Sequence, residues 1–150
     1  MLRTAVRMLL ALVMAATALT AVAGPAQAAN PYGPVEVCGP GYRVIHQGPV
    51  DTAGGVRYGT AYLLYKSGGY NCVVTIKSRW VGQATETHAV LLRDRERDSL
   101  NYFDRGNYRY YAVVKGYAPA CVKFWGTMYP PGVTDYDRRG EAMSGWGWCD

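Results

Sequence analysis

Few residues in this chain have the types and spacing that chemistry requires. An enzyme needs a nucleophile, a base or a metal held in place. The histidines are His46 and His88, and neither lies in an H-E-x-x-H pattern or in an acid-and-histidine cluster with metal-ligand spacing. The serines Ser67, Ser78, Ser99 and Ser144 fall in no G-x-S-x-G elbow, and Ser67 simply precedes turn glycines. Two carboxylate pairs, Asp94/Glu96 and Asp135/Asp137, have the i, i+2 spacing that puts both groups on one face of a strand. Glycoside hydrolysis would use such a pair across a bound sugar. Here Arg93, Arg95, Arg138 and Arg139 adjoin them, so ordinary ion pairing is the better reading. Asp135-Tyr136-Asp137 also lacks the rest of a calcium loop. The expectation is a protein that is not an enzyme, with no catalytic residue, no metal and no cofactor. Its histidines are read as hydrogen-bonded structural groups.

The aromatic residues carry the stronger signal. Tyr102, Tyr108, Tyr110, Tyr111, Tyr117, Tyr129 and Tyr136 crowd the second half of the chain, together with Trp125, Trp146 and Trp148. Tyr and Trp combine apolar area with a polar tip, which suits binding surfaces. They also fill small β cores. The core reading carries more weight. The binding reading singles out Trp125, Trp146, Trp148, Tyr108 and Tyr111 as surface rings for a sugar, peptidoglycan, a protein or another copy of the chain.

The first residues bound the compartment in which those rings would work. Arg3 and Arg7 form a positive start, and Met8 to Ala23 is an uncharged run of mostly Leu, Val, Met and Ala. Gly24-Pro25 breaks a helix, and Ala26-Gln27-Ala28 offers the small residues of a cleavage site. The apolar run is shorter than the roughly 20 residues that span a bilayer. Residues 1–28 are therefore read as a secretory signal helix that is removed, leaving no stable membrane anchor and one secreted β domain over 29–150. Cleavage takes Arg3 and Arg7 away, so the formal charge falls from +5 to +3. A mildly basic surface with interspersed acids does not argue for nucleic acid. The run from Arg93 to Asp98 alternates in sign and reads as a solvated strand end or loop.

Cys38, Cys72, Cys121 and Cys149 all follow the cleavage site. An even number in an exported chain reads as disulfides. No C-x-x-C occurs, so thioredoxin-like chemistry or a zinc ribbon has little support. Three connectivities are open. The favoured one is Cys38–Cys72 with Cys121–Cys149, one bridge in each half, contributing about 3.5–4 kcal/mol each in the chain-entropy model.

The elements between the cysteines read as strands. Residues 29–41 are an irregular lead. Strands are expected at Tyr42–Gln47, Val56–Tyr65, Cys72–Ile76 with Lys77, Tyr108–Lys115 and Cys121–Trp125. Thr85–Arg93 fits a strand entering the core, with a short helix as the competing reading. Ser67-Gly68-Gly69 supplies a tight hairpin connection between the second and third strands. Asp104-Arg105-Gly106-Asn107 reads as a turn, and residues 127–150 as a Pro/Gly/Trp-rich tail that frays unless stapled. The fold class expected is all-β, a small antiparallel sandwich or barrel with two disulfides.

Several strings then resemble a known family. They are Cys38-Gly39-Pro40-Gly41-Tyr42, Asn71-Cys72-Val73-Val74-Thr75-Ile76, Asp104-Arg105-Gly106-Asn107-Tyr108-Arg109-Tyr110-Tyr111-Ala112 and Cys121-Val122-Lys123-Phe124-Trp125-Gly126. In this order, across about residues 35–126, they look like the spore-associated protein A family of streptomycetes and other actinomycetes. The resemblance implies a small secreted protein found with spores or aerial hyphae, and it carries over no catalytic residue. The function expected is a non-enzymatic, structural or adhesive protein of the spore or cell surface. Its partners would be polysaccharide or protein components of that surface. A secreted protease inhibitor, presenting Gly48–Gly55 or Lys66–Tyr70, and a carbohydrate-binding module are the alternatives.

Overall fold

A computed structural model describes residues 28–93 and 101–149. The signal reading, apart from Ala28, and the charged pair Asp94/Glu96 lie outside the described residues. Eight strands form one antiparallel sheet. They are β1 (Arg43–Asp51), β2 (Arg57–Lys66), β3 (Tyr70–Lys77), β4 (Thr85–Arg93), β5 (Tyr102–Tyr108), β6 (Tyr111–Tyr117), β7 (Val122–Met128) and β8 (Gly140–Met143). Their order is β5-β4-β7-β8-β1-β2-β3-β6, and the sheet curls until the edge strands β5 and β6 face one another. The result is a nearly closed barrel, as the all-β reading expects.

Strand β3 shows why these residues make this sheet. Val73, Val74, Thr75 and Ile76 are β-branched and fit a pleated surface. Val73 and Thr75 point into the barrel, whereas Cys72, Val74 and Ile76 point outwards, yet all are buried. The outer side is covered by α1 (Pro34–Cys38), a one-turn helix in the lead segment. Cys38, Leu64, Cys72, Val74 and Ile76 form this second, outer core. The Cys38–Cys72 bridge fastens α1 to it, and Cys121–Cys149 is the other bridge, so the favoured connectivity is the one found. Gly68 and Gly69 turn the β2–β3 hairpin with φ of 89° and 80°, a region that glycine enters without a Cβ clash.

The main core fills the barrel with Leu63, Val73, Leu91, Val122, Phe124 and Met128. Full burial of each such side chain stabilises the fold by about 1.5–3 kcal/mol. Ala61, Ala89, Ala112 and Ala142 keep the interior narrow. A Cβ on Gly126 would come within 2.5 Å of the Ala61 Cβ and 2.6 Å of the Thr75 hydroxyl, so this glycine lets opposite walls approach.

Three expectations are corrected. Asp104-Arg105-Gly106-Asn107 is not a turn but the middle of β5, paired with β4. Its turn-like residues have other tasks. The Tyr108 ring lies where a Cβ on Gly106 would be 3.1 Å away, and the Asp104 carboxylate bonds across to β6. The reading of Tyr108–Lys115 as one strand joins two, because the chain turns at Arg109-Tyr110 between β5 and β6. Finally, residues 127–150 do not merely trail: they supply β8, which fits between β7 and β1.

The edges β5 and β6 are closed by side chains instead of a backbone ladder. The Asp104 carboxylate accepts hydrogen bonds from the Tyr108 hydroxyl and the Val113 N–H. The Tyr102 hydroxyl donates to the Tyr117 carbonyl at 3.3 Å, and its ring lies against Gly116, where a Cβ would clash.

Candidate functional site

The β5–β6 turn brings two of the singled-out rings together. Tyr108 and Tyr111 line an open groove of about 300 Å³ with Tyr32, Asp104, Arg109, Tyr110 and Val113. That volume is at the lower end of the roughly 300–1,000 Å³ of ligand clefts. Each wall has a local cause. Tyr32 arrives on the lead segment and meets Tyr110 and Tyr111 edge-on, with ring centroids 5.3 and 5.2 Å away. The lead is held there because the Asn30 amide donates to the carbonyls of Lys77 and Tyr110, at 3.1 and 2.7 Å. Asp104 holds the Tyr108 phenol as a hydrogen-bond donor, which pushes its pKa up to about 12, with burial adding to the shift. The groove thus offers ring faces, a carboxylate and the Arg109 guanidinium, a set able to stack on and hydrogen-bond a hydroxylated ligand.

The three tryptophans lie elsewhere. Trp148 packs against His46 with centroids 4.9 Å apart, and His46 in turn lies 5.5 Å from Phe124. The bridge Cys121–Cys149 and the backbone pairing of Val122 with Gly147 hold this end of the chain against β7. Trp146 beside them is 48% exposed. Trp125 is on the outer side of β7 between Val90 and Met143. Hence Tyr108 and Tyr111 share one site, Trp146 and Trp148 another, and Trp125 a third.

The remaining chemistry-bearing groups are engaged in structure. His88 Nε2 is 2.8 Å from the Glu86 carboxylate, and its ring lies 5.8 Å from that of Tyr129. Asp135 accepts from the Asp137 N–H and starts a short 3-10 turn at Tyr136–Arg138. Arg139 bonds to Glu141 at 2.8 Å rather than to that aspartate pair, and its guanidinium lies over the Tyr136 ring. Among the described residues, no three His, Cys, Asp or Glu side chains gather as a metal site.

Sequence reasoning passes over two features. One is the exposed ring pair Tyr70–Tyr117, with centroids 5.4 Å apart, on neighbouring strands β3 and β6. The register that pairs them is not visible in one dimension. The other is Lys77, which reads as the polar end of a strand but is only 1% exposed. Its ammonium donates to the Gln83 carbonyl at 2.7 Å, the Thr85 hydroxyl at 2.7 Å and the Tyr108 carbonyl at 3.0 Å. Burial pushes its pKa down to about 8. Lys77 therefore ties β3 to the start of β4 and to the residue that leads into the groove.

Comparison with known proteins agrees with the resemblance carried by the quoted strings. The chain is similar to Spore-associated protein A of Streptomyces coelicolor, with 35% identity over 95 residues, covering 61% of this chain and 56% of that protein. The chain thus spans about half the length of the curated relative that it matches. No family model matches the chain. No solved structure matches it.

Proposed function

We propose that this chain is an exported, non-enzymatic protein of the spore or cell surface that adheres through the tyrosine groove at the β5–β6 turn. The observation that carries the reading is the groove itself. Four tyrosines from the lead segment and the turn converge with Asp104 and Arg109 on a barrel that two disulfides make rigid. A pre-formed site loses little ordering entropy on binding. Two disulfides suit an oxidising, extracellular setting. The name of the similar streptomycete protein, with its association with spores, supports the same location.

Polysaccharide is the partner class that the groove fits best, since ring faces stack on sugars while Asp104 and Arg109 meet hydroxyl groups. The test is sedimentation of the mature protein with spores, hyphal walls, peptidoglycan, chitin and cellulose. Retention on one of these, lost in Tyr32→Ala and Tyr111→Ala variants that melt normally, is the expected result. A protein that stays in the supernatant in every case, and free in the medium of a native culture, would sink the reading. The inhibitor alternative has less support. Gly48 to Asp51 lies within β1, and Lys66–Tyr70 is a tight hairpin. Stoichiometric inhibition of subtilisin- or thermolysin-like proteases would nevertheless overturn adhesion as the main role.

A further inference from the structure

The two halves of the barrel differ on the outside. The helix α1 packs on β1, β2, β3 and β6, where it buries the outer core. The outer side of β5, β4, β7 and β8 carries instead a row of apolar side chains in strict register. Phe103 is opposite Val90, Val90 opposite Trp125, and Trp125 opposite Met143. The ends of the row stand proud, with Phe103 63% and Met143 57% exposed, while Val90 between them is 4% exposed. The neighbouring row is polar and has a direction. It runs from Arg105 on β5 through His88 and Thr127 to Glu141 on β8. Arg105 rests 5.3 Å above the Phe103 ring, and the Glu141 side chain is 42% exposed. Within this face the Trp125 indole N–H and the Thr127 hydroxyl are buried and, among the described residues, have no hydrogen-bond partner.

We propose that this face is a homodimer interface, closed by a second copy about a two-fold axis that runs parallel to the strands between β4 and β7. That operation lays β5 on the partner copy's β8 and β4 on its β7. Phe103 then meets Met143 of the other copy, a favourable ring-to-sulfur contact. Trp125 lies across from the partner's Val90 position, whose side chain is already buried within its own copy, and Arg105 meets Glu141. Each contact occurs twice, as an isologous interface requires. The charge pattern selects this occupant. Glu141 is held by Arg139 of its own copy through Oε2, which leaves Oε1 to face the partner's Arg105, so a second copy turned end for end sets unlike groups together at both ends of the polar row. The geometry is that of aligned sheets about 10 Å apart. Four strands at about 4.8 Å spacing make a patch roughly 20 Å across, below the size of a standard stable interface, so the dimer is a weak one favoured at high local concentration. The inference is independent of the tyrosine groove, which lies at the β5–β6 turn.

The experiment is sedimentation equilibrium of the mature protein from micromolar concentrations to about 1 mM, with amide NMR spectra across the same range. A reversible dimer is expected, with concentration-dependent shifts gathered at Phe103, Val90, Trp125 and Met143. Phe103→Asp, at a solvent-facing position, should melt like the parent but weaken the dimer by about tenfold or more. Arg105→Glu alone should weaken it too, since it sets two acids face to face, and combining it with Glu141→Arg should restore association. A chain that remains monomeric to about 1 mM overturns the proposal. So does a dimer that is indifferent to Phe103→Asp, or a charge swap that fails to restore it in a variant that still melts cooperatively. If soluble wall polysaccharide moves the Phe103 and Met143 signals of a monomer, the face belongs to glycan and the dimer is refuted.

Discussion

Replacing Lys77 with Met tests how the buried cation acts within the fold. The substitution keeps the length of the side chain and removes the ammonium. It strips donors from the Gln83 and Tyr108 carbonyls and from the Thr85 hydroxyl. Hydrogen bonds from a charged donor contribute about 1.5–3 kcal/mol each, so three are worth about 4.5–9 kcal/mol. Against this stands the penalty for burying the charge. A pKa pushed from 10.5 to about 8 corresponds to about 3 kcal/mol. The net loss on Lys77→Met is therefore about 2–6 kcal/mol, a large part of a small domain's stability. The same shift fixes a pH signature. The folded pKa lies below the unfolded one, so between them the unfolded chain binds more protons and stability rises with pH. From pH 8 to pH 10 the parent should gain up to about 2 kcal/mol relative to the Met variant. The three acceptors favour the ammonium and make that figure an upper bound. Above pH 10 both proteins lose stability as pH rises, because the Tyr108 phenol is raised to about 12 and the unfolded tyrosine loses its proton first, an effect that cancels in the comparison with the Met variant. Urea unfolding of both proteins at pH 7, 8, 9 and 10, followed by tryptophan fluorescence, measures every term. A Met variant as stable as the parent at pH 7, or a parent that loses stability relative to it between pH 8 and 10, refutes the reasoning.

Two further perturbations address the seam and the staples. Asp104→Asn should destabilise the barrel by about 1–3 kcal/mol, since it weakens acceptance from the Tyr108 hydroxyl and the Val113 N–H. It should also let the Tyr108 phenol titrate well below about 12, which ultraviolet difference titration would detect. Opening Cys38–Cys72 with a Cys38→Ala/Cys72→Ala pair should lower stability by about 4 kcal/mol or more, because an entropic staple and part of the outer core are lost together. The pair Cys121→Ala/Cys149→Ala should cost less, about 3 kcal/mol, as Cys149 is exposed. Calorimetry of the two double variants checks the order, and equal losses would count against the burial argument.

Much of this molecule is legible from residue types. β-branched runs mark β3, the glycine pair marks its hairpin, and the export-like leader justifies reading four cysteines as two bridges. The strand at Thr85–Arg93 is also recognisable, even though its Ala and Leu residues favour helix, because its place between β5 and β7 decides the outcome. What escapes is whatever depends on register. Asp104 and Gly106 look like turn residues, and only the partner strand shows that one bonds across a seam and the other makes room for a ring. Lys77 looks solvated until three acceptors from distant segments converge on it. The tyrosines look like a single strip, yet the chain's turn at Arg109-Tyr110 gathers some into a groove and leaves others on separate walls. Composition finds the aromatic groups. Their grouping is a property of topology.

The position of β8 has a consequence for timing. This four-residue strand lies between β7 and β1, and so joins the half that contains β5, β4 and β7 to the half that contains β1, β2, β3 and β6. A chain emerges N-terminus first, whether from the ribosome or through a membrane, so the link between the halves arrives after the other seven described strands. Until then β7 and β1 each present an unpaired edge, the feature that invites association with other chains. The barrel therefore stays open, threadable and in need of protection until Gly140–Met143 have been delivered, and closes only then.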